Sequence, residues 1–204
     1  MDFKELEAFY KGKRVLVTGH TGFKGTWLCR ILTLAGAQVT GYALDPPTSP
    51  SMFDQTGLGE TIRSVIGDIR DLAKLRETFD QTRPEVVFHL AAQPIVRDSY
   101  KDPVYTYETN VMGTVNVLEC VRLTGSVKSF LNVTTDKVYD NREWEYGYRE
   151  TDPLDGYDPY SNCCLLYTSK LQPGGRGSQG KIYSVFEQRH PGDGELALFP
   201  GKPD

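Results

Sequence analysis

Metal-binding and disulfide-forming side chains are few in this chain of 204 residues, which has three histidines and four cysteines. The cysteines stand at 29, 120, 163 and 164, with no Cys-x-x-Cys pair and no histidine at finger-like spacing. That spacing excludes a zinc module and a disulfide framework and leaves reduced thiols, with no metal expected. No apolar run approaches the ~20 residues that span a bilayer. The start, Met1-Asp2-Phe3-Lys4-Glu5-Leu6-Glu7, lacks a basic segment followed by an apolar one, so the sequence predicts a cytoplasmic protein with no membrane partner. Positive charge is not in excess either: 23 Lys and Arg face 27 Asp and Glu, a formal charge of −4. The basic residues are scattered among acids instead of forming a stripe, which disfavours nucleic acid as a partner. Asn132-Val133-Thr134 matches a glycosylation sequon, but it falls in an apolar strand pattern and reads as a chance match.

What remains is an ordinary globular composition, 39% hydrophobic and 25% charged, in a length suited to one core. Over residues 13–133, short apolar runs alternate with helical stretches, the pattern of an α/β protein with a Rossmann-like, doubly wound parallel sheet. Strands are predicted at 14–18, 38–43, 64–66, 85–90 and 129–133. After the first, Trp27, Leu28, Ile31, Leu32 and Ala35 form a helical stripe that stops at Gly36. Residues 71–81 read as an amphipathic helix with Leu72, Leu75 and Phe79 inward. A longer helix over 103–123 places Val104, Tyr107, Val111, Val115 and Leu118 on one face and Tyr105, Met112 and Val117 on the other. Apolar surface that broad implies either full burial or a second partner beyond the sheet, such as the same helix of another subunit in a homodimer.

Thr18-Gly19-His20-Thr21-Gly22-Phe23-Lys24-Gly25 follows the first strand and opens the first helix. In that setting glycines remove the Cβ atoms that would keep backbone N–H groups away from a pyrophosphate at a helix N-terminus. Asp45 lies twenty residues beyond Gly25, just past the second strand, where a carboxylate accepts hydrogen bonds from an adenosine ribose and repels a 2′-phosphate. The pair favours NAD over NADP. Asp68, in Gly67-Asp68-Ile69-Arg70, suits either an adenine amine or the N-cap of the following helix.

The glycine string resembles that of the extended short-chain dehydrogenase/reductases, the NAD-dependent epimerase/dehydratase family. His89-Leu90-Ala91-Ala92-Gln93-Pro94 resembles the family's fourth-strand segment beside the cofactor. Residues 41–48 and Asn141-Arg142-Glu143-Trp144, with Gly147-Tyr148-Arg149-Glu150 after it, resemble the nucleotide-sugar 4,6-dehydratase branch that acts on CDP-glucose, an enzyme of O-antigen sugar synthesis. The resemblance implies a hydro-lyase with NAD held by Gly19, Thr21, Gly22, Phe23, Gly25, Asp45, Asp68, Ile69, Leu90, Ala91 and Ala92. In Thr134-Thr135-Asp136-Lys137-Val138-Tyr139 it implies that Thr135 bonds the sugar C4 oxygen, Asp136 protonates the departing hydroxyl and Lys137 handles the C5 proton. Asp136 and Lys137 also fit a solvated surface pair. Tyr160, in Asp158-Pro159-Tyr160-Ser161-Asn162, resembles the tyrosine of the family's Tyr-x-x-x-Lys motif, the base for C4 oxidation.

The match spans residues 11–162 and then departs from the family. The motif lysine position is Cys164, which supplies no fixed charge, and Lys170, ten residues from Tyr160, would be ~15 Å from it along a helix and not on the same face. Cys164-Leu165-Leu166-Tyr167-Thr168-Ser169 resembles a translated sequencing adapter, implying that the family's chain is interrupted there. The sequence therefore divides into a partial NAD-binding domain, 1–162, and an unrelated tail, 163–204. Eleven of the tail's 42 residues are Gly or Pro, so no regular structure is expected there. Without a further strand, the fifth would be an open edge exposing Phe130, Leu131 and Val133, the sheet would be incomplete on its C-terminal side, and the chain would be inactive and poorly soluble.

Overall fold

Six short runs, most of them rich in β-branched or aromatic residues, become the strands β1 Arg14–Thr18, β2 Gln38–Ala43, β3 Arg63–Ile66, β4 Val86–His89, β5 Ser129–Val133 and β6 Lys181–Val185. The computed structural model describes residues 2–149, 151–168 and 181–185. All the pairings are parallel, in the order β3-β2-β1-β4-β5-β6. This is the doubly wound Rossmann order, whose direction of travel reverses between β1 and β4. The reversal opens a crevice outside the carboxyl ends of those two strands.

The helices are α1 Phe3–Tyr10, α2 Phe23–Leu34, α3 Met52–Gln55, α4 Leu72–Thr82, α5 Val96–Lys101, α6 Pro103–Tyr107, α7 Gly113–Thr124 and α8 Pro159–Thr168. A π-helical turn, Glu108–Met112, joins α6 to α7. Strand pleating divides the core in two. Val15, Val17, Phe88 and Leu131 point to one face, where Tyr10 of α1 and Cys29 and Leu32 of α2 cover them. Leu16, Val87 and Phe130 point to the other, beneath Leu75 and Phe79 of α4 and Val117 and Cys120 of α7. Burial on both faces explains why the strands read as continuous apolar runs instead of alternating. Among the described residues no helix is long and apolar enough to cross a membrane, and no cluster could hold a metal ion.

Three predicted helix faces need correction. Trp27 and Ile31 of α2 are 49% and 40% exposed, while Thr26 and Cys29 turn inward. In α4 Leu72 is 40% exposed and only Leu75 and Phe79 are covered among the predicted three. In the long helix the buried stripe is Thr106, Asn110, Thr114, Val117 and Cys120, whereas Val104, Met112 and Val115 face outward. The cause is polar: the hydroxyls and the amide on that stripe serve buried hydrogen bonds of the site described below, and the extra residue of the π turn rotates the helix face. Full burial of this helix is excluded.

The segment after 162 also differs from expectation. Helix α8 continues through Thr168, and β6 pairs with β5 along its whole length, Ser129 opposite Lys181 through Val133 opposite Val185. Strand β5 is therefore an interior strand, with its open backbone groups engaged by β6. Residues 169–180 and 186–204, including the Gly/Pro-rich stretch 173–178, lie outside the described residues. Asn132, the sequon residue, is buried in β5.

The revised face of α4 makes a paired prediction. Phe79→Ala, which empties a fully buried site, should lower unfolding stability by ~3–5 kcal/mol. Leu72→Ala should change it by no more than about 1 kcal/mol. Urea unfolding of both variants checks this, and equal losses would contradict the assignment.

Candidate functional site

The turn between β1 and α2 is held open by glycine at points where any other residue would collide. Gly19 adopts φ +77°, and a Cβ there would lie 2.9 Å from the Ala91 nitrogen, while a Cβ on Gly25 would overlap the Gly19 carbonyl oxygen. The turn is fixed from inside by Gly19 N–H donating to Tyr42 O (2.9 Å), Gly22 N–H to Gly19 O (3.2 Å) and Thr26 N–H to Gly22 O (2.9 Å). Gly22 caps α2 with no side chain and the first turn carries no acidic residue, so the helix's positive end faces the crevice.

Two buried histidines brace this turn, and the sequence reading missed both as structural elements of the site. The His20 ring fills the space where Gly41 would carry a Cβ, and its Nε2 lies 2.7 Å from Ser64 Oγ on β3. His89, at the end of β4, has Nδ1 2.7 Å from Thr18 Oγ1 and Nε2 3.0 Å from Thr114 Oγ1. The same Thr18 oxygen accepts from Leu90 N–H and Ala91 N–H, each at 3.1 Å. Thr114 in turn donates to Asn110 O (2.6 Å), and the Asn110 amide clamps Gln93 by accepting from its N–H and donating to its carbonyl. Burial pushes both imidazoles down to about 4, although Tyr42 acts in the opposite direction at His20. Both rings are thus neutral hydrogen-bonding wedges, and the chain Thr18, His89, Thr114, Asn110 ties the glycine turn to the 89–94 segment.

One cleft of about 660 Å³ runs along this rim and is lined by all eleven residues predicted to hold a dinucleotide. Gly19, Thr21, Gly22, Phe23 and Gly25 form one wall, and Asp45, Asp68 and Ile69 stand at the end beyond β2 and β3. Leu90, Ala91 and Ala92 form the part beside β4. Thr21 is aimed by donating to Leu44 O at 2.8 Å. The Asp68 carboxylate accepts from Arg70 Nη2 at 2.7 Å and from the Arg70 N–H at 2.9 Å, and those Arg70 hydrogen bonds hold it below the ordinary carboxylate range. The N-cap alternative for Asp68 fails, because Asp71 caps α4 by accepting from Lys74 N–H.

Thr135, Asp136, Lys137 and Tyr160, the predicted catalytic set, line the other end of the same cleft. Thr135 is buried and Asp136 and Lys137 are exposed along the rim, with Thr135 Oγ1 accepting from Lys137 N–H at 3.3 Å. Tyr160 sits at the start of α8, whose N-terminus Asp158 caps by accepting from Ser161 N–H at 2.9 Å. Tyr107 OH donates to Asn162 Oδ1 at 2.7 Å and the Asn110 amide to Cys163 Sγ at 3.3 Å, docking α8 on the π turn. Burial and the neighbouring Cys164 push the Tyr160 phenol well above its ordinary value of 10, against a hydrogen bond with Thr135 that lowers it. Hydrogen bonds from Cys164 and Asn110 hold the Cys163 thiol below its ordinary value. Tyr160 therefore has a thiol, not a cation, one helical turn away.

A family model described as GDP-mannose 4,6 dehydratase matches residues 16–167. A CDP-glucose 4,6-dehydratase of Salmonella typhimurium is 60% identical over 167 residues, covering 80% of this chain and 46% of that protein. Among solved structures, UDP-glucose 4-epimerase from Brucella ovis in complex with NAD superposes with a TM-score of 0.72 at 24% identity, over 86% of this chain and 51% of that one. The Thermus thermophilus UDP-glucose 4-epimerase complex with NAD gives a TM-score of 0.68 at 29% identity, over 78% and 49%. The chain spans about half the length of these relatives.

The neutral histidines predict an acid sensitivity with a defined sign. Because burial lowers both values from 6.5 to about 4, the unfolded chain binds those protons first. Their stabilising effect is complete above pH 6.5 and is lost as pH falls toward 4, on the order of 3 kcal/mol for each ring. Asp68, with its value lowered, loses its contribution only below the ordinary carboxylate range. The urea midpoint should therefore fall between pH 7 and 4.5, and a flat profile in that window would contradict the neutral-wedge assignment.

Proposed function

The chain belongs to the GDP-mannose 4,6 dehydratase family, and from that membership we propose that it carries the NAD-binding part of a nucleotide-sugar 4,6-dehydratase, a cytoplasmic hydro-lyase acting on CDP-glucose. The observation that carries this reading is the single cleft that runs from the glycine turn and Asp45 to Thr135, Asp136, Lys137 and Tyr160. The 60% identity to a CDP-glucose 4,6-dehydratase supports the choice of substrate over the GDP, dTDP and UDP sugars of the more distant relatives.

The residues fit the cofactor. The turn where a Cβ would overlap backbone is a cradle shaped for a diphosphate, and its uncapped helix end favours that negative charge. Asp45 would hold the adenosine ribose and Asp68 and Ile69 the adenine, since all three line that end of the cleft. NAD bound there would supply the redox chemistry, as a hydride acceptor and donor for the sugar. Within the chain, Tyr160 takes the proton of the C4 hydroxyl while Thr135 holds that oxygen, Lys137 removes the C5 proton, and Asp136 protonates the hydroxyl leaving C6. The outward Val104, Met112 and Val115 of the long helix suit a second copy of the chain, giving a homodimer.

One observation favours a second reading, an NAD-binding chain that turns over slowly or not at all. A tyrosine base works near neutral pH only when a nearby cation lowers its pKa. Here burial and Cys164 raise it instead.

NADH should bind with a saturable rise in its fluorescence, and Gly25→Ala should weaken binding at least about tenfold, because the new methyl group displaces the Gly19 carbonyl. Conversion of CDP-glucose to a keto sugar should be slow in the natural chain. Cys164→Lys should raise it on the order of a hundredfold and move the pH profile toward neutrality. Rapid turnover that is unchanged by Cys164→Lys would contradict the role given to Tyr160.

A further inference from the structure

The end of the cofactor cleft beyond β3 is lined by Gly67, Asp68 and Ile69, and the backbone that carries them is gripped from both sides. Tyr42 OH on β2 donates to Asp68 O at 2.9 Å, and Gly67 lies so close to that phenol that a Cβ would stand 2.6 Å from it. From the long helix, Asn116 Nδ2 donates to Ile69 O at 3.0 Å and to Arg70 O at 3.2 Å. Gly113 leaves room for the Ile69 side chain, whose Cδ1 lies 2.5 Å from where a Cβ would be. The Asp68 side chain is fixed as well, by Arg70, which stands outside the cleft lining. Asp68 Oδ1 accepts from Arg70 N–H at 2.9 Å, and Oδ2 accepts from Nε at 3.0 Å and Nη2 at 2.7 Å. The guanidinium is held in its turn, centred 4.6 Å over the Tyr105 ring with Nη1 3.4 Å from Glu108 Oε2.

That bonding leaves Asp68 little freedom. A carboxylate offers about four acceptor positions. Arg70 fills three of them, and the one left is on Oδ1, so Asp68 can take a single N–H at a single place. A purine with an amine at C6 presents such an N–H beside ring N1. A purine with a carbonyl at C6 presents an acceptor there and carries its N–H at N1, so it meets Asp68 acceptor to acceptor unless the carboxylate turns to follow that proton. The two-pronged bond from Arg70 blocks the turn. We propose that Arg70, braced by Tyr105 and Glu108, is a positioning residue for base selection: by holding the Asp68 carboxylate in one orientation it makes the cleft favour an adenine dinucleotide over its hypoxanthine counterpart. This inference rests on the cofactor reading above and adds to it what sets the choice of base.

Calorimetric titration of the full chain with NAD and with nicotinamide hypoxanthine dinucleotide tests this. The natural chain should prefer NAD by roughly tenfold or more. Arg70→Ala should cut that preference below about threefold, chiefly by weakening NAD, and should change the affinity for the hypoxanthine dinucleotide by less than about twofold, because the diphosphate cradle is untouched. Arg70→Lys keeps the charge and the stem but not the fork, so it should lose the preference too, and it provides the reading if the alanine variant does not fold. A preference kept in either folded variant would overturn the role given to Arg70. Equal weakening of both dinucleotides would make Arg70 a structural support and also overturn it. Equal affinities in the natural chain would overturn base selection and leave the cofactor reading standing, whereas binding of neither dinucleotide would overturn both.

Discussion

Everything in this site depends on how closely three pieces of backbone approach one another at the carboxyl end of β1. Gly19 lies against the peptide joining Leu90 to Ala91, and Gly25 lies against Gly19, with no room for a single methyl group at either contact. Close packing alone would leave buried amides and hydroxyls unpaired, which is costly in an interior of low dielectric. Here Thr18 takes two of those amides, His89 bridges Thr18 to Thr114, and Asn110 holds Gln93. The crevice at the switch point is thus lined by a turn whose geometry is set by glycine and which is tied through Thr18 and His89 to the long helix behind it.

That arrangement explains what was legible in the sequence. The glycine string, Asp45 and the strands could be read directly because each answers a local demand: a turn that admits no Cβ, a carboxylate after β2, and short buried apolar runs. Strands β2 and β5 fall where the pattern put them. The long helix was misread for a physical reason. Periodicity assumes that apolar residues face the core, but here the core-facing stripe carries Thr106, Asn110 and Thr114 because their polar atoms complete the buried network. A π turn in the middle shifts the phase as well. Histidines 20 and 89 carried no pattern of their own, since a buried neutral imidazole is recognisable only by the hydroxyls placed around it.

The C-terminal side of the sheet shows a different limit. The sequence after residue 162 reads as tail, and the family match ends at residue 167. Helix α8 nevertheless docks through Asn162 and Cys163 on the π turn, and β6 occupies the edge of β5. Local composition could not foresee this, because a strand edge and an open helix face supply the ordering from outside the segment itself. The docking delivers Tyr160 to the cleft but brings Cys164, not a cation, beside it. Architecture and chemistry therefore part company at one residue: the tyrosine stands in the cleft, in an environment that keeps its proton.

The most direct measurement is backbone amide chemical-shift mapping of the isotopically labelled chain as NAD is added. Shifts concentrated at Gly19, Thr21, Gly22, Phe23 and Gly25, with smaller changes at Asp45, Asp68 and Ala91, are the expected result. Saturable binding that leaves the amides of 19–25 unmoved and perturbs another surface would contradict the account at its root.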